Sequence, residues 1–119
     1  MDLDLETQYC KPVQKGEQPL DRESVTGYLS QLSGWKRSGK GIARTFRFKD
    51  FYETMAFVNA VAYIAQEEGH SPGLEVSSQA CRVSYFTPEL EGLSENDFIC
   101  AEKIDRLLKI TNEGFWPKN

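Results

Sequence analysis

The sequence predicts an α+β domain: a four-stranded antiparallel sheet with helices packed on one face, in the order α-β-β-α-β-β-α. Three observations lead there. Ile42 to Phe48 and Cys81 to Thr87 alternate their side chains with the period of two that a half-buried strand requires. Three other segments space apolar residues by three and four behind residues suited to capping a helix. The strand-like segments come in pairs joined by short turns, with a helix between the pairs. That arrangement gives antiparallel ladders and segregates the helices to one side.

Residues 1 to 19 are polar, contain Pro12 and Pro19 and show no period, which predicts an extended or flexible arm. Cys10-Lys11-Pro12 is the part of it suited to docking on the body. The domain proper is expected over residues 20–112. Asp21 is placed to cap a first helix whose face carries Val25, Tyr28, Leu29 and Leu32, ended by Gly34. Trp35 begins a short strand, and Ser38-Gly39-Lys40-Gly41 turns the chain. In the next strand Ile42, Arg44, Phe46 and Phe48 share one face, with Ala43, Thr45 and Arg47 on the other.

Asp50 followed by Glu53 is a capping box for the second helix. Phe51, Met55, Val58, Val61, Ala62 and Ala65 form its apolar stripe, which Phe57 and Ile64 widen enough to pack on more than the sheet. Gly69 suits a left-handed cap, and Pro72-Gly73 turns the chain. Leu74 to Ser78 is a short third strand, and in the fourth Cys81, Val83 and Tyr85 oppose Arg82, Ser84 and Phe86. Ser94 with Asp97 makes a second capping box, opening a helix with Phe98, Ala101, Ile104, Leu107 and Leu108 inward. Residues 113–119 form a tail with Phe115 and Trp116.

At 119 residues the chain suits a single domain, and one of that size buries roughly 65% of its unfolded surface. A net charge of −4 and interspersed charges argue against direct nucleic-acid binding, which favours a basic face. No apolar run approaches the ~20 residues of a membrane span. These properties predict a cytoplasmic protein. Three cysteines, Cys10, Cys81 and Cys100, have no metal-site spacing, so three reduced thiols are expected and no metal.

The chain has one histidine. A strand, a helix and a glycine stop deliver it in Glu68-Gly69-His70-Ser71-Pro72, just past a helix end. Imidazole is the side chain that moves protons near neutral pH. Any acid–base chemistry through an imidazole must therefore use His70.

In order along the chain stand Gly34-Trp35, Phe46-Arg47-Phe48-Lys49-Asp50-Phe51, Phe57-Val58-Asn59-Ala60-Val61, Glu68-Gly69-His70 with Pro72-Gly73-Leu74, and Gly92-Leu93-Ser94-Glu95-Asn96-Asp97-Phe98. Together they resemble the pterin-4a-carbinolamine dehydratase family over about residues 20–110. The resemblance implies a sheet-edge homodimer, often extended to a homotetramer, and a hydro-lyase of tetrahydrobiopterin recycling. Its substrate would be a 4a-hydroxytetrahydropterin, which loses water to give the quinonoid dihydropterin. No cofactor is implied. By the same resemblance His70 and Asp97 are the catalytic candidates, and Ser71, Pro72 and Pro88 the substrate-binding ones.

The sequence departs from that family where the chemistry sits. The family pattern has a second histidine at Ser71 and a third at Pro88. It also has an aromatic at Ser78 and an acid at Gln66. A hydroxyl does not accept a proton at pH 7 as imidazole does, and proline offers no side-chain polar group. Each lost acid or base removes typically 10²–10⁴-fold in rate. A dehydratase with weak or lost catalysis is therefore expected. The alternative is a non-catalytic dimeric binding module with a protein partner, like a transcription-factor dimerisation cofactor or a RuBisCO assembly factor. Arg44 and Arg82 are read as solvated strand residues, and Tyr85 and Phe86 as packing residues.

Overall fold

The computed structural model describes residues 4–110, with side chains to 108; the Phe115-Trp116 tail lies outside them. Its helices are α1 (Arg22–Leu29), α2 (Phe51–Glu68) and α3 (Glu95–Ile110). Its strands are β1 (Lys36–Ser38), β2 (Gly41–Arg47), β3 (Gly73–Ser77) and β4 (Ala80–Tyr85). The order α-β-β-α-β-β-α is the expected one. All pairings are antiparallel, in the spatial order β1-β2-β4-β3.

Alternation places Ile42 and Phe46 of β2, and Cys81, Val83 and Tyr85 of β4, under the helices, where all five are buried. Phe57 and Val61 of α2 and Phe98, Ala101 and Ile104 of α3 close the core from above. Phe57 packs at a tilt of 39° against both Phe46 and Phe48, with centroids 4.7 and 5.0 Å apart. Such aromatic contacts add to the burial itself.

The helix caps form as local chemistry dictates. Asp50 Oδ1 accepts from the Glu53 amide at 2.8 Å, and Glu53 Oε1 accepts from the Lys49 amide at 3.1 Å. Asp21 Oδ1 accepts from the Ser24 amide at 2.8 Å. The first helix ends at Leu29, earlier than the Gly34 stop expected; Ser30 to Ser33 continue as turns. Gly34 has φ +79°, and a Cβ there would meet Arg44 Nε at 2.9 Å. Trp35 precedes β1 rather than beginning it. It is buried, and its indole N–H donates to Asp105 Oδ1 at 2.8 Å. The third strand stops at Ser77, so Ser78 belongs to the following turn, where its carbonyl accepts from Thr54 Oγ1.

The arm is anchored at two points along its described length. A short 3-10 turn at Leu5–Thr7 buries Leu5 completely in the core cluster. Farther on, the Lys11 amide donates to Asn96 Oδ1 at 2.9 Å, and Asn96 Nδ2 donates to the Lys11 carbonyl at 2.7 Å. The polar composition of the arm concealed this one apolar anchor. Leu5→Ala is expected to cost about 2–4 kcal/mol, cavity included. Chemical denaturation with an unchanged slope would register it; a change within error would show that the arm contributes nothing to stability.

Candidate active site

Gly69 ends α2 with φ 68°, the left-handed cap conformation. The reversal sends His70 back against the body, and its amide donates to the Ala65 carbonyl at 3.2 Å. The imidazole then stacks on the Tyr85 ring, centroids 5.0 Å apart, while Tyr85 Oη donates to the His70 carbonyl at 3.2 Å. Ring and backbone of His70 are thus held by one β4 residue.

Behind the imidazole lies Asp97, fully buried in the first turn of α3. His70 Nε2 lies 2.6 Å from Asp97 Oδ1. The other oxygen, Oδ2, completes the capping box by accepting from the Ser94 amide at 2.9 Å, and also accepts from Thr87 Oγ1 at 2.8 Å. Thr87 Oγ1 and Ser94 Oγ are 2.7 Å apart, and Ser94 Oγ accepts from the Asn96 amide. With Thr87 donating to Asp97, the Ser94 hydroxyl must donate to Thr87, so every hydroxyl proton has one destination. The network binds the carboxylate to the end of β4 and the start of α3 while leaving Oδ1 for the histidine.

Two influences oppose each other at His70. Burial disfavours the imidazolium and pulls its pKa down. The hydrogen bond and negative charge of Asp97, joined by the fields of Cys100 and Glu89, outweigh burial, and the net shift is upward from 6.5. The surroundings therefore favour the protonated ring more than water does, with Asp97 steadying the cation.

His70 lines an open cleft of about 780 Å³, and Ser71, Pro72 and Pro88 line the same cleft. Four of the five candidate residues named from sequence therefore line one cleft. Asp97 reaches the cleft only through His70. Arg82 and Phe86 also face it. Arg82 Nη2 donates to Ser38 Oγ at 2.8 Å, so its guanidinium is fixed rather than simply solvated. Phe86 is 40% exposed, a ring presented to the opening. Arg44 does not belong here. It pairs with Asp105 at 2.7 Å and lies over the Phe46 ring, bracing β2 against α3.

Thr87 and Tyr85 are the site residues that sequence reasoning passed over. Tyr85 has inward strand parity like any core residue, and only its contacts with His70 give it a second role. Thr87 ends the alternating run and carries no local signal. Among the described residues there is no cluster of histidine, cysteine or acidic side chains able to hold a metal. Nor is any helix among them long and apolar enough to cross a membrane.

Comparison with known proteins places these features in a family. The model of the family described as "Pterin 4 alpha carbinolamine dehydratase" matches residues 18–107. A Nitrosospira multiformis protein named "Putative pterin-4-alpha-carbinolamine dehydratase" is 50% identical over 107 residues, covering 90% of this chain and 95% of its own length. A Legionella pneumophila (strain Paris) protein of the same name is 47% identical over 111 residues, covering 91% and 98%. Among solved structures, a transcriptional coactivator/pterin dehydratase from Brucella melitensis superposes with a TM-score of 0.73 at 26% identity. It covers 76% of this chain and 98% of that one. A pterin dehydratase-like protein described as a RuBisCO assembly factor of the α-carboxysome shares the fold, with a TM-score of 0.52 at 20% identity, covering 61% and 84%.

Proposed function

The chain belongs to the pterin-4a-carbinolamine dehydratase family, and from that premise we propose that it is a slow cytoplasmic hydro-lyase acting on 4a-hydroxytetrahydropterins through a single histidine. The observation that carries this is the 2.6 Å contact between His70 Nε2 and buried Asp97 at the wall of the cleft. With Nε2–H held by Asp97, Nδ1 is the ring nitrogen left to exchange protons with a ligand. The ring proton of the substrate passes to His70, whose cation Asp97 stabilises. The departing 4a-hydroxyl is protonated, the C4a–O bond breaks and water leaves. One imidazole then serves both steps, because Ser71 and Pro88 supply no second base.

Asp97 is a positioning residue: it holds the tautomer and the ring plane. Ser71 is a hydrogen-bonding partner for a pterin oxygen, and Pro72 and Pro88 shape the wall. The dehydratase-like assembly factor favours a second reading, a non-catalytic binding module with a protein partner. A homodimer or homotetramer suits either reading. Every residue of the edge strand β3 is exposed, including Leu74 and Val76, and Phe51, Tyr52 and Tyr63 project from α2.

Dehydration of enzymically generated 4a-carbinolamine, measured against the spontaneous rate, separates the readings. A modest acceleration that disappears in His70→Ala is the expected result. Equal rates for both proteins and for buffer would remove the enzymatic reading and leave the binding module.

A further inference from the structure

The buried face of α3 holds a second reactive group, one turn beyond Asp97. Cys100 is fully buried there, with its Sγ 4.0 Å from the His70 carbonyl. The Sγ of Cys10, on the N-terminal arm, lies 3.5 Å from it across 90 residues of sequence. The approach is held by several contacts. The Cys10 amide donates to Glu68 Oε1 at 2.8 Å, and Lys11 is clamped on both sides by Asn96. Lys103 sits over the Tyr9 ring and beside Glu68, closing the same end of the arm.

We propose that Cys10 and Cys100 form a reversible disulfide that latches the N-terminal arm onto α3 at the base of the His70 site. The sulfurs are about 1.5 Å farther apart than in a disulfide, whose S–S bond is ~2.05 Å. A small adjustment of the arm closes that gap, since the arm reaches α3 through an extended segment rather than a packed helix. The two thiols already interact as a pair. The Cys10 thiol holds the Cys100 thiol below the ordinary range, and Cys10 itself is pushed up by Cys100 and by burial.

The chemistry is exchange with a small disulfide of the glutathione class. When the arm lifts, the Cys10 thiolate attacks the oxidant's S–S bond, forming a mixed disulfide and releasing one glutathione thiolate. On redocking, the Cys100 thiolate attacks the Cys10 sulfur and expels the second. Two protein thiols are oxidised to one disulfide, the oxidant is reduced to two thiols, and the two protons pass to the released thiolates. Cys81 is buried on β4 and is the internal control.

The test incubates the full chain with oxidised glutathione and maps its peptides by mass spectrometry. The expected product has no cross-link between chains, is lighter by two hydrogens per chain, and contains a Cys10–Cys100 cross-linked peptide. Closing so long a loop should raise the melting temperature by roughly 10 °C. Dithiothreitol should reverse the change, and Cys10→Ser should abolish it. Cys10 lies on the half-buried arm, so that variant keeps the core intact and decides the matter even if Cys100→Ala fails to fold. A stable glutathione adduct on Cys10 alone, an intermolecular cross-link or an unmodified protein would each overturn the proposal.

Discussion

A Ser71→His, Pro88→His double variant is expected to dehydrate 4a-carbinolamine at least about 10²-fold faster than the parent chain, because a positioned acid or base contributes typically 10²–10⁴-fold. Both positions line the cleft that His70 lines. An imidazole at either is therefore within the same enclosure as the reacting groups. In the parent one histidine must take a proton and return it, so the step waits on a single group in alternating protonation states. Two further imidazoles divide those tasks. The substitutions suit the local structure. Pro88 opens a 3-10 turn, where proline's missing N–H has no partner to lose. Initial rates with the spontaneous rate subtracted provide the measurement, with Ser71→Ala, Pro88→Ala as the control for altered shape. A double variant no faster than the parent would mean that the cleft no longer seats the substrate.

Replacing Asp97 by alanine should be the most damaging single change at the site. The carboxylate is fully buried and serves three groups: the His70 ring, the Thr87 hydroxyl and the Ser94 amide. Its loss leaves buried donors unpaired and uncaps α3, a cost of about 3–5 kcal/mol. Asp97→Asn separates structure from chemistry. Its carboxamide oxygen can still accept from Ser94 and Thr87, but the NH₂ then faces His70 Nε2. The ring must accept there, and the neutral form with the proton on Nδ1 is selected.

His70 is the only histidine, so its ring protons give one resolved NMR titration. In the parent that titration should lie above 6.5, because Asp97 and the weaker fields of Cys100 and Glu89 outweigh burial. In Asp97→Asn the largest raising influence is gone while burial stays, so the midpoint should fall below the parent's. The linkage has a definite sign. A pKa raised on folding stabilises the native state fully below the unfolded value of 6.5, and that contribution is lost as pH rises through the folded pKa. Denaturation from pH 5.5 to 8.5 should show this loss in the parent and not in Asp97→Asn. Coincident titrations would mean that the contact with Asp97 does not govern the imidazole.

The sequence by itself determined the element order, the inward faces of both central strands, the helix caps at Asp21, Asp50 and Ser94, and the delivery of His70 beyond Gly69. These follow from interactions within a few residues: period-two alternation, a side chain meeting an amide three positions on, a glycine free to take a positive φ. It also brought His70, Ser71, Pro72 and Pro88 forward as one set through family resemblance. Tertiary structure alone decided what Asp97 does with its second oxygen. The capping box accounts for one oxygen locally, but His70 lies 27 residues away and meets the other only when α3 packs behind the end of α2. The same holds for Arg44, read as a solvated arginine yet bound to Asp105 across 61 residues, and for Leu5, an apolar residue in a polar arm that fills the core. It holds also for Cys10 and Cys100, which no spacing rule pairs. Local periodicity sets which face a side chain takes. Which distant group waits on that face depends on how the packed elements are placed against one another.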